Sequence, residues 1–518
     1  SPVVWSNHTM IRPLALLTLM LFAHSSFAEN LTILYTNDIE SVYEPVASPW
    51  RDDMSAMGGM PHLSSLIKMH RAQHENTLLV DAGDMFTGSL SKATEGRLVF
   101  DLYSEMGYDV GNLGNHEFEY GWRILRDAMP RARFPILNAN IFYENTDIPF
   151  AREYAIVKSG RYRVGVIGLM GIDAFHNTMM RSHRNGLEIR SPIDIAQSLA
   201  DRLRPEVDFL IVLTHQNRTA PMQTNKESDP TVLRGFDEDY ALAGKVRGID
   251  LIVGGHSDHG LHAPVVHPET GTTIVMTFGQ GMHLGRVTFD MSAEDGPRLQ
   301  NGELIPVNAD HLPPDPSITK LINNARAQHP ALTRVVATLK RPALRLYNQE
   351  SSLGSLLADA LKQQAGVEVA MVPAGAIRAD LQSGAITVEA LLNVFPFTDQ
   401  VTVVQLQGSA LLKLLEKGVS LDYGLSQFSG VTLSYDSSQP VGQRIIDVSI
   451  NDETLDLDRT YRFATGSFTA TGGEGYDMFE DQGLEIKNTL VSDAFITVFE
   501  QWQTLSLPEK GRLQDIAL

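Results

Sequence analysis

The sequence predicts an α/β layered fold in two domains, on three observations. Short β-rich apolar runs alternate with helical patterns through the first half. A tract rich in proline and aspartate then breaks that alternation. A second series of helices and strands follows it. The chain of 518 residues also exceeds what one ordinary core accommodates, which favours two.

The strand candidates of the first half are LTILYT (31–36), TLLVDA (77–82), DVGNLG (109–114), FPILNAN (134–140), RVGVIGL (163–169), DFLIVLT (208–214) and DLIVGG (250–255). Helical patterns fall between several of them, as in MPHLSSLIKMHRAQ (60–73) and PIDIAQSLADRLR (192–204). Buried apolar strands separated by helices indicate helices layered on sheets. TTIVMTFG (272–279) and GRVTFDM (285–291) continue the sheet. NADHLPPDPS (308–317) reads as a linker, and ITKLINNARAQ (318–328) as a connecting helix. The later part carries a helix at 351–364 and strands at 367–372, 400–407 and 460–466. The expected division is an export segment over 1–28, a first domain over 29–307, a linker and connecting helix over 308–334, and a second domain over 335–518.

Composition is that of a globular protein, with 43% hydrophobic and 20% charged residues. The net charge of −20 opposes non-specific nucleic-acid binding, which needs a basic face. It is compatible with a small anionic substrate, because metal ions invert the local field. The chain has no cysteine, so disulfides, thiolate metal sites and cysteine nucleophiles are excluded. Arg12, the apolar run LALLTLMLF (14–22) and Ser26-Phe27-Ala28 form a Sec-type signal peptide cleaved near Ala28. The run is too short to span a bilayer. Residues 1–9 read as an upstream extension before Met10. The polar end LPEKGRLQDIAL carries no tail-anchor or lipid-anchor pattern. A periplasmic or secreted soluble monomer is expected.

Polar residues cluster at the strand ends. Asp38 and Glu40 follow LTILYT, and Asp84, in GDMFTG, follows TLLVDA. Asn115, His116 and Glu117 follow DVGNLG; His215 follows DFLIVLT; His256 and Asp258, in GGHSD, follow DLIV. Ligands of open α/β sheets bind at carboxyl strand ends. Mixed carboxylate, amide and imidazole donors suit hard to borderline divalent metals. Singly, each residue fits a turn or helix cap as well; together they point to a metal centre.

The order TNDxE, GDxxxG, GNHEF, TH and GGHS resembles that of calcineurin-like metallophosphoesterases. More narrowly, it resembles the 5′-nucleotidase branch, which includes periplasmic UDP-sugar hydrolases and cyclic-nucleotide phosphodiesterases. The resemblance implies a four-layer metallophosphoesterase sandwich followed by a separate α/β substrate-binding domain. It implies two divalent ions bridged by Asp84, one completed by Asn115, His215 and His256, the other by Asp38, Glu40 and Asp258. His116 would be the proton donor, oriented by Glu119. In the second domain, PFTD (396–399) and FTATGGEGY (468–476) resemble the family's substrate motifs. They imply that Phe397 and Phe468 sandwich a base, that Asp399 and Glu474 accept hydrogen bonds, and that Arg378 of AGAIR holds phosphate.

Several positions depart from the pattern. Glu40 replaces a histidine, and Asp258 stands where histidine or glutamine is usual. The added carboxylates predict a harder site that favours manganese or magnesium over zinc. Tyr347 stands for an arginine, Gln349 supplies no second one, and Asp399 replaces an asparagine. Arg345 and Arg341 lie near enough in sequence to substitute. These losses of positive charge predict weaker binding of multiply charged mononucleotides. The expected activity is hydrolysis of nucleotide phosphate esters or pyrophosphates. The alternatives are a thiosulfohydrolase-like relative with a manganese pair and a non-catalytic nucleotide-binding paralogue.

Overall fold

The computed structural model describes residues 29–217 and 235–518. The predicted signal peptide lies outside the described residues. The first domain stacks two six-stranded sheets. One runs in the order Arg298–Pro306, His283–Asp290, Asn30–Thr36, Thr77–Asp81, Val110–Asn112, Ile136–Leu137. The other runs Val265–Val266, Thr273–Val275, Leu251–Val253, Phe209–His215, Tyr162–Met170, Tyr154–Ser159. Within each sheet the strands that end near the polar motifs are mutually parallel. Their carboxyl ends therefore emerge at one edge of the sandwich.

Alternation along the strands explains the layering. Ile33, Val80 and Val110 of the first sheet pack against Val166, Ile211, Leu213 and Val253 of the second. Leu34, Leu79 and Leu113 face outward against helices Met60–Gln73 and Arg97–Met106. Ile167, Leu210, Val212 and Ile252 face helices Pro192–Leu203 and Asp237–Lys245. Both sheets are covered on both faces, which is why their strands read as continuous apolar runs. The segments expected to continue a single sheet split between the two: Thr273–Val275 joins the second, and His283–Asp290 pairs antiparallel with Asn30–Thr36 in the first.

The tract expected as a linker is laid along the first domain. The carbonyls of Leu312 and Pro313 accept hydrogen bonds from His62 Nδ1 (2.8 Å) and Ser65 Oγ (2.6 Å). Helix Pro316–Ala327 follows, with Ile318 and Ile322 buried in the first domain's core. Asp315 caps it by accepting from Ser317 N at 3.1 Å, and also receives Ser64 Oγ and Lys68 Nζ at 2.6 Å each. The second domain is built on a five-stranded sheet in the order Gln427–Ser429, Val369–Val372, Thr460–Gly466, Gln400–Gln407, Glu485–Leu490. Helices Ser352–Ala365 and Val491–Trp502 cover one face, and Gly408–Gly418 the other. Arg326, on the connecting helix, joins Glu389 of the second domain (2.9 Å) and Glu44 of the first.

Asp315 carries a pH signature. Burial pushes its carboxyl up, but hydrogen bonds from Lys68, Ser64 and Ser317 outweigh that and hold it at about 2, below the ordinary 3.8. A depressed acid stabilises the fold above its unfolded pKa, and the gain disappears as pH falls through the folded value. Asp315→Ala is expected to lower stability at neutral pH by about 1 kcal/mol through the lost cap. The deficit should shrink below about pH 4. Urea unfolding of both proteins from pH 7 downward checks this; a deficit independent of pH would contradict it.

Candidate metal centre

The strand ends turn sharply. Asp38, Glu40, Asp84, His256 and Asp258 all adopt left-handed φ, from 51° to 77°. Such backbone costs about 1–3 kcal/mol per non-glycine residue and persists only where the surroundings enforce it. Here the loops brace one another. Glu117, buried in the turn Asn115–Phe118, accepts from the backbone N–H groups of Asp84 (2.9 Å), Met85 (2.6 Å) and Gly114 (2.6 Å). Asp38 N donates to Gly83 O and Glu40 N to Asp84 O. The Asp38 carboxylate accepts from His256 N at 3.0 and 3.1 Å, which ties the first sheet's loop to the second's.

Asp84 lies at the centre. Asp84, His215 and His256 bring ligand atoms within 4.8 Å of one another, and so do Glu40, Asp84 and His116. On one side His215 Nε2 is 2.9 Å from Asp84 Oδ2, 3.1 Å from Asn115 Oδ1 and 3.8 Å from Asp38 Oδ1. His215 Nδ1 is 3.0 Å from the Ala82 carbonyl, which can only accept, so Nδ1 carries hydrogen. On a neutral ring Nε2 then presents a lone pair towards three oxygens, an arrangement that calls for a cation. On the other side, Gly279 is pressed between Asp258 and Asp38. Asp258 Oδ1 is buried and has no hydrogen-bond partner among the described residues. Buried carboxylates and imidazoles with an uncommitted oxygen fit divalent cations.

The electrostatics agree. Burial, then Glu40, pushes Asp258 up to about 7; burial and Asp258 likewise raise Asp38. Burial alone would lower His215, but Asp84 and Asp38 push it to about 10. His256 is carried down to about 3 by burial and by His215. The acids and the histidines share one buried field, in which His215 and His116 stand as counter-charges to Asp84.

The second domain closes over this cluster. Arg378 Nη2 donates to Glu40 Oε1 at 2.5 Å and lies 3.2 Å from His116 Nε2. His116 Nδ1 is 3.2 Å from Glu119 Oε2. A cavity of about 610 Å³ opens from these groups between the domains. Phe397, Asp399, Phe468 and Glu474 line it from the second domain. Phe468 is 41% exposed, whereas Phe397 packs edge-on against Phe395. Asp399 Oδ1 accepts from Phe468 N (2.7 Å) and Ser467 Oγ (2.9 Å), so this oxygen holds the Phe468 turn. Burial pushes Glu474 up to about 7, against Lys417 and Arg378. Of the two nearby arginines, Arg345 lines the cavity, its guanidinium donating to the Arg378 carbonyl at 3.1 Å; Arg341 is exposed and outside the lining.

Residues 31–259 match the family model described as calcineurin-like phosphoesterase, and residues 335–481 match that of the 5′-nucleotidase C-terminal domain. The chain belongs to the 5′-nucleotidase family. The human protein called 5′-nucleotidase is 27% identical, over 88% of this chain and 86% of its own length. A crystal structure of a 5′-nucleotidase precursor from Thermus thermophilus covers 94% of this chain and 99% of its own, at 26% identity and a TM-score of 0.79. A sulfate thiohydrolase of the same organism shares the fold at 21% identity and a TM-score of 0.75, over 94% and 97% of the two chains. As a family member the chain is a metal-dependent phosphoester hydrolase.

Some residues that shape this hydrolase's site escape sequence reasoning. Glu117 sits inside the GNHEF motif, yet nothing there distinguishes an acid that braces backbone from one that faces a ligand. Asp239 accepts from Thr214, Gln216 and Asn217 and so fixes the strand end that carries His215. It is one of three acids in a row (237–239), and only the fold selects it.

Gly114 marks the tightest approach. A Cβ there would stand 2.2 Å from Asp84 Oδ1 and 2.4 Å from Asp84 N. Gly114→Ala is expected to displace Asp84, destabilise the fold by about 1–3 kcal/mol, and reduce metal content. Thermal unfolding in chelator and elemental analysis check both; unchanged values would show that the loop yields freely.

Proposed function

We propose that this hydrolase is an exported enzyme that cleaves nucleotide phosphate esters or pyrophosphates at a two-cation centre. The supporting observation is the place of Asp84. It belongs to both donor groups and faces the cavity that Phe397 and Phe468 line. Relatives named 5′-nucleotidase support the same substrate class.

Asp84 would be shared between the ions, with Asn115, His215 and His256 on one side and Asp38, Glu40 and Asp258 on the other. When bound, two divalent cations activate a water and clamp the oxygens of an in-line phosphoryl displacement. His116, its Nδ1 facing Glu119, gives a proton from Nε2 to the leaving oxygen. Arg378 reaches the reacting region and presents its guanidinium to phosphate oxygens. Phe397 and Phe468 offer π-faces to a base, a contact worth about 1–3 kcal/mol. Glu474 and the uncommitted oxygen of Asp399 accept from base or ribose. The carboxylate-rich half favours manganese or magnesium over zinc. The aromatic lining speaks against a sulfur-compound substrate, and the retained His116, His215 and His256 speak against a non-catalytic binder.

Hydrolysis with added manganese is the direct test, read as phosphate from AMP, as UMP and glucose 1-phosphate from UDP-glucose, and as the ring-opened monophosphate from 2′,3′-cyclic AMP; turnover of at least one is expected. Stoichiometric binding without turnover would favour the non-catalytic alternative. His116→Ala should lose about 10²–10⁴-fold in kcat while keeping its metal; an unchanged kcat removes the proton-donor role. Protein purified without added metal should not carry two zinc ions. Export predicts a mature N-terminus at Glu29, which mass spectrometry reads.

A further inference from the structure

We propose that Thr87 is a positioning residue for the proton-donating pair His116–Glu119. The proposal rests on the reading of His116 as the proton donor. Thr87 is buried, with 6% of its surface exposed, and its Oγ1 donates to Glu119 Oε2 at 2.6 Å. The same oxygen lies 3.2 Å from His116 Nδ1. The other oxygen, Oε1, is buried and has no hydrogen-bond partner among the described residues. The Glu119 carboxylate is therefore anchored through one atom, and the shorter of that atom's two contacts is with Thr87. A glutamate has three side-chain torsions to fix, one more than aspartate. With its second oxygen uncommitted, the carboxylate depends on Thr87 for orientation.

Thr87 is itself fixed by the metal-site loop. Its backbone N donates to Ser41 Oγ at 3.1 Å. Ser41 Oγ is 2.6 Å from Ser91 Oγ, which lies 2.5 Å from the Tyr43 hydroxyl. Ser41 follows Glu40 directly and shares its left-handed backbone, with φ of 55°. A run of hydroxyls thus ties the turn bearing Asp38 and Glu40 to the segment bearing Thr87, and Thr87 passes that register to Glu119 and His116. The hydroxyl never touches substrate. It sets the direction from which His116 Nε2 meets the leaving oxygen.

The chemistry separates this role from a structural one. In hydrolysis the phosphorus–oxygen bond to the leaving group breaks while water oxygen bonds to phosphorus. The proton on His116 Nε2 moves to the departing oxygen, the product leaves as an alcohol, and His116 regains a proton from solvent. An alkoxide leaving group needs that proton, whereas p-nitrophenolate departs without it. A misaligned donor therefore slows alkyl esters and spares activated aryl esters.

The experiment compares kcat of manganese-loaded wild type, Thr87→Val, Thr87→Ser, His116→Ala and the double variant Thr87→Val/His116→Ala on AMP and on p-nitrophenyl phosphate. Thr87→Val should lose about 10–100-fold on AMP, the scale of a misplaced catalytic group, and stay within about threefold on the aryl ester. Thr87→Ser should restore AMP turnover. The double variant should be no slower on AMP than His116→Ala alone, since both act on one step. Equal losses on the two esters, additive losses in the double variant, or undiminished AMP turnover in Thr87→Val would each overturn the proposal. If Thr87→Val does not fold, Thr87→Ala carries the same comparison, with metal content as the control for site integrity. Absence of turnover on both esters by metal-loaded wild type would instead overturn the hydrolytic reading, and the proposal with it.

Discussion

The structure is organised around like charges gathered in a buried space. Asp38, Glu40, Asp84 and Asp258 converge where two sheets end, all below one-tenth exposure except the half-buried Asp258. Buried charge is tolerated only when paired. The chain supplies histidines on one side and Arg378 on the other. Rigid sheets, mutually braced loops and the closing second domain each hold these groups against repulsion. The positive-φ turns belong to the same arrangement: they turn the chain where the two sheets end, and Glu117 and the cross-loop backbone bonds hold them there.

The parts of this arrangement that the sequence discloses are those with an abrupt local signature. A strand buried on both faces is apolar throughout, so the residue that ends it stands out. LTILYT, TLLVDA and DFLIVLT stop at Thr36, Asp81 and His215, within a residue or two of the expected limits. Which sheet a strand joins leaves no such mark. Thr273–Val275 and His283–Asp290 read alike, and only long-range pairing sends them to different sheets. Helices Gly408–Gly418 and Val491–Trp502 are absent from the sequence reading, although their buried positions recur at helical spacing, as at Leu411, Leu414, Leu415 and Gly418. Asp399 shows the limit at the site. Its motif points to ligand, but only the fold shows that one oxygen serves the Phe468 backbone.

The two domains are coupled through charge as well as through chain. Arg326 ties Glu44 to Glu389 across the boundary, and Arg378 crosses it to reach Glu40. The position of the second domain therefore sets part of the field at the metal centre. The cavity and the centre cannot be treated as independent sites. Moving the wall that carries Phe468 also moves the one guanidinium within hydrogen-bonding distance of Glu40 among the described residues.

The two halves of the centre answer their charge problem differently. In the half with His215, burial opposes ionisation of the ring, yet Asp84 and Asp38 push it up to about 10. Asp84, in spite of its own burial, is driven below the ordinary range by His215 and His116. A proton on imidazole stands where a cation would. The other half has no such ring at position 40. Burial and neighbouring acids keep Asp38 and Asp258 protonated further up the scale, and Arg378 covers Glu40. A divalent ion held by either half would have to displace a proton or take over from an arginine, because carboxylates and imidazoles bind metal in their deprotonated forms. Glu40 in place of the expected histidine therefore changes more than the hardness of one donor. It transfers part of the compensation from a proton on the first domain to a guanidinium on the second, and so makes the arrangement of the domains part of the charge balance around Glu40.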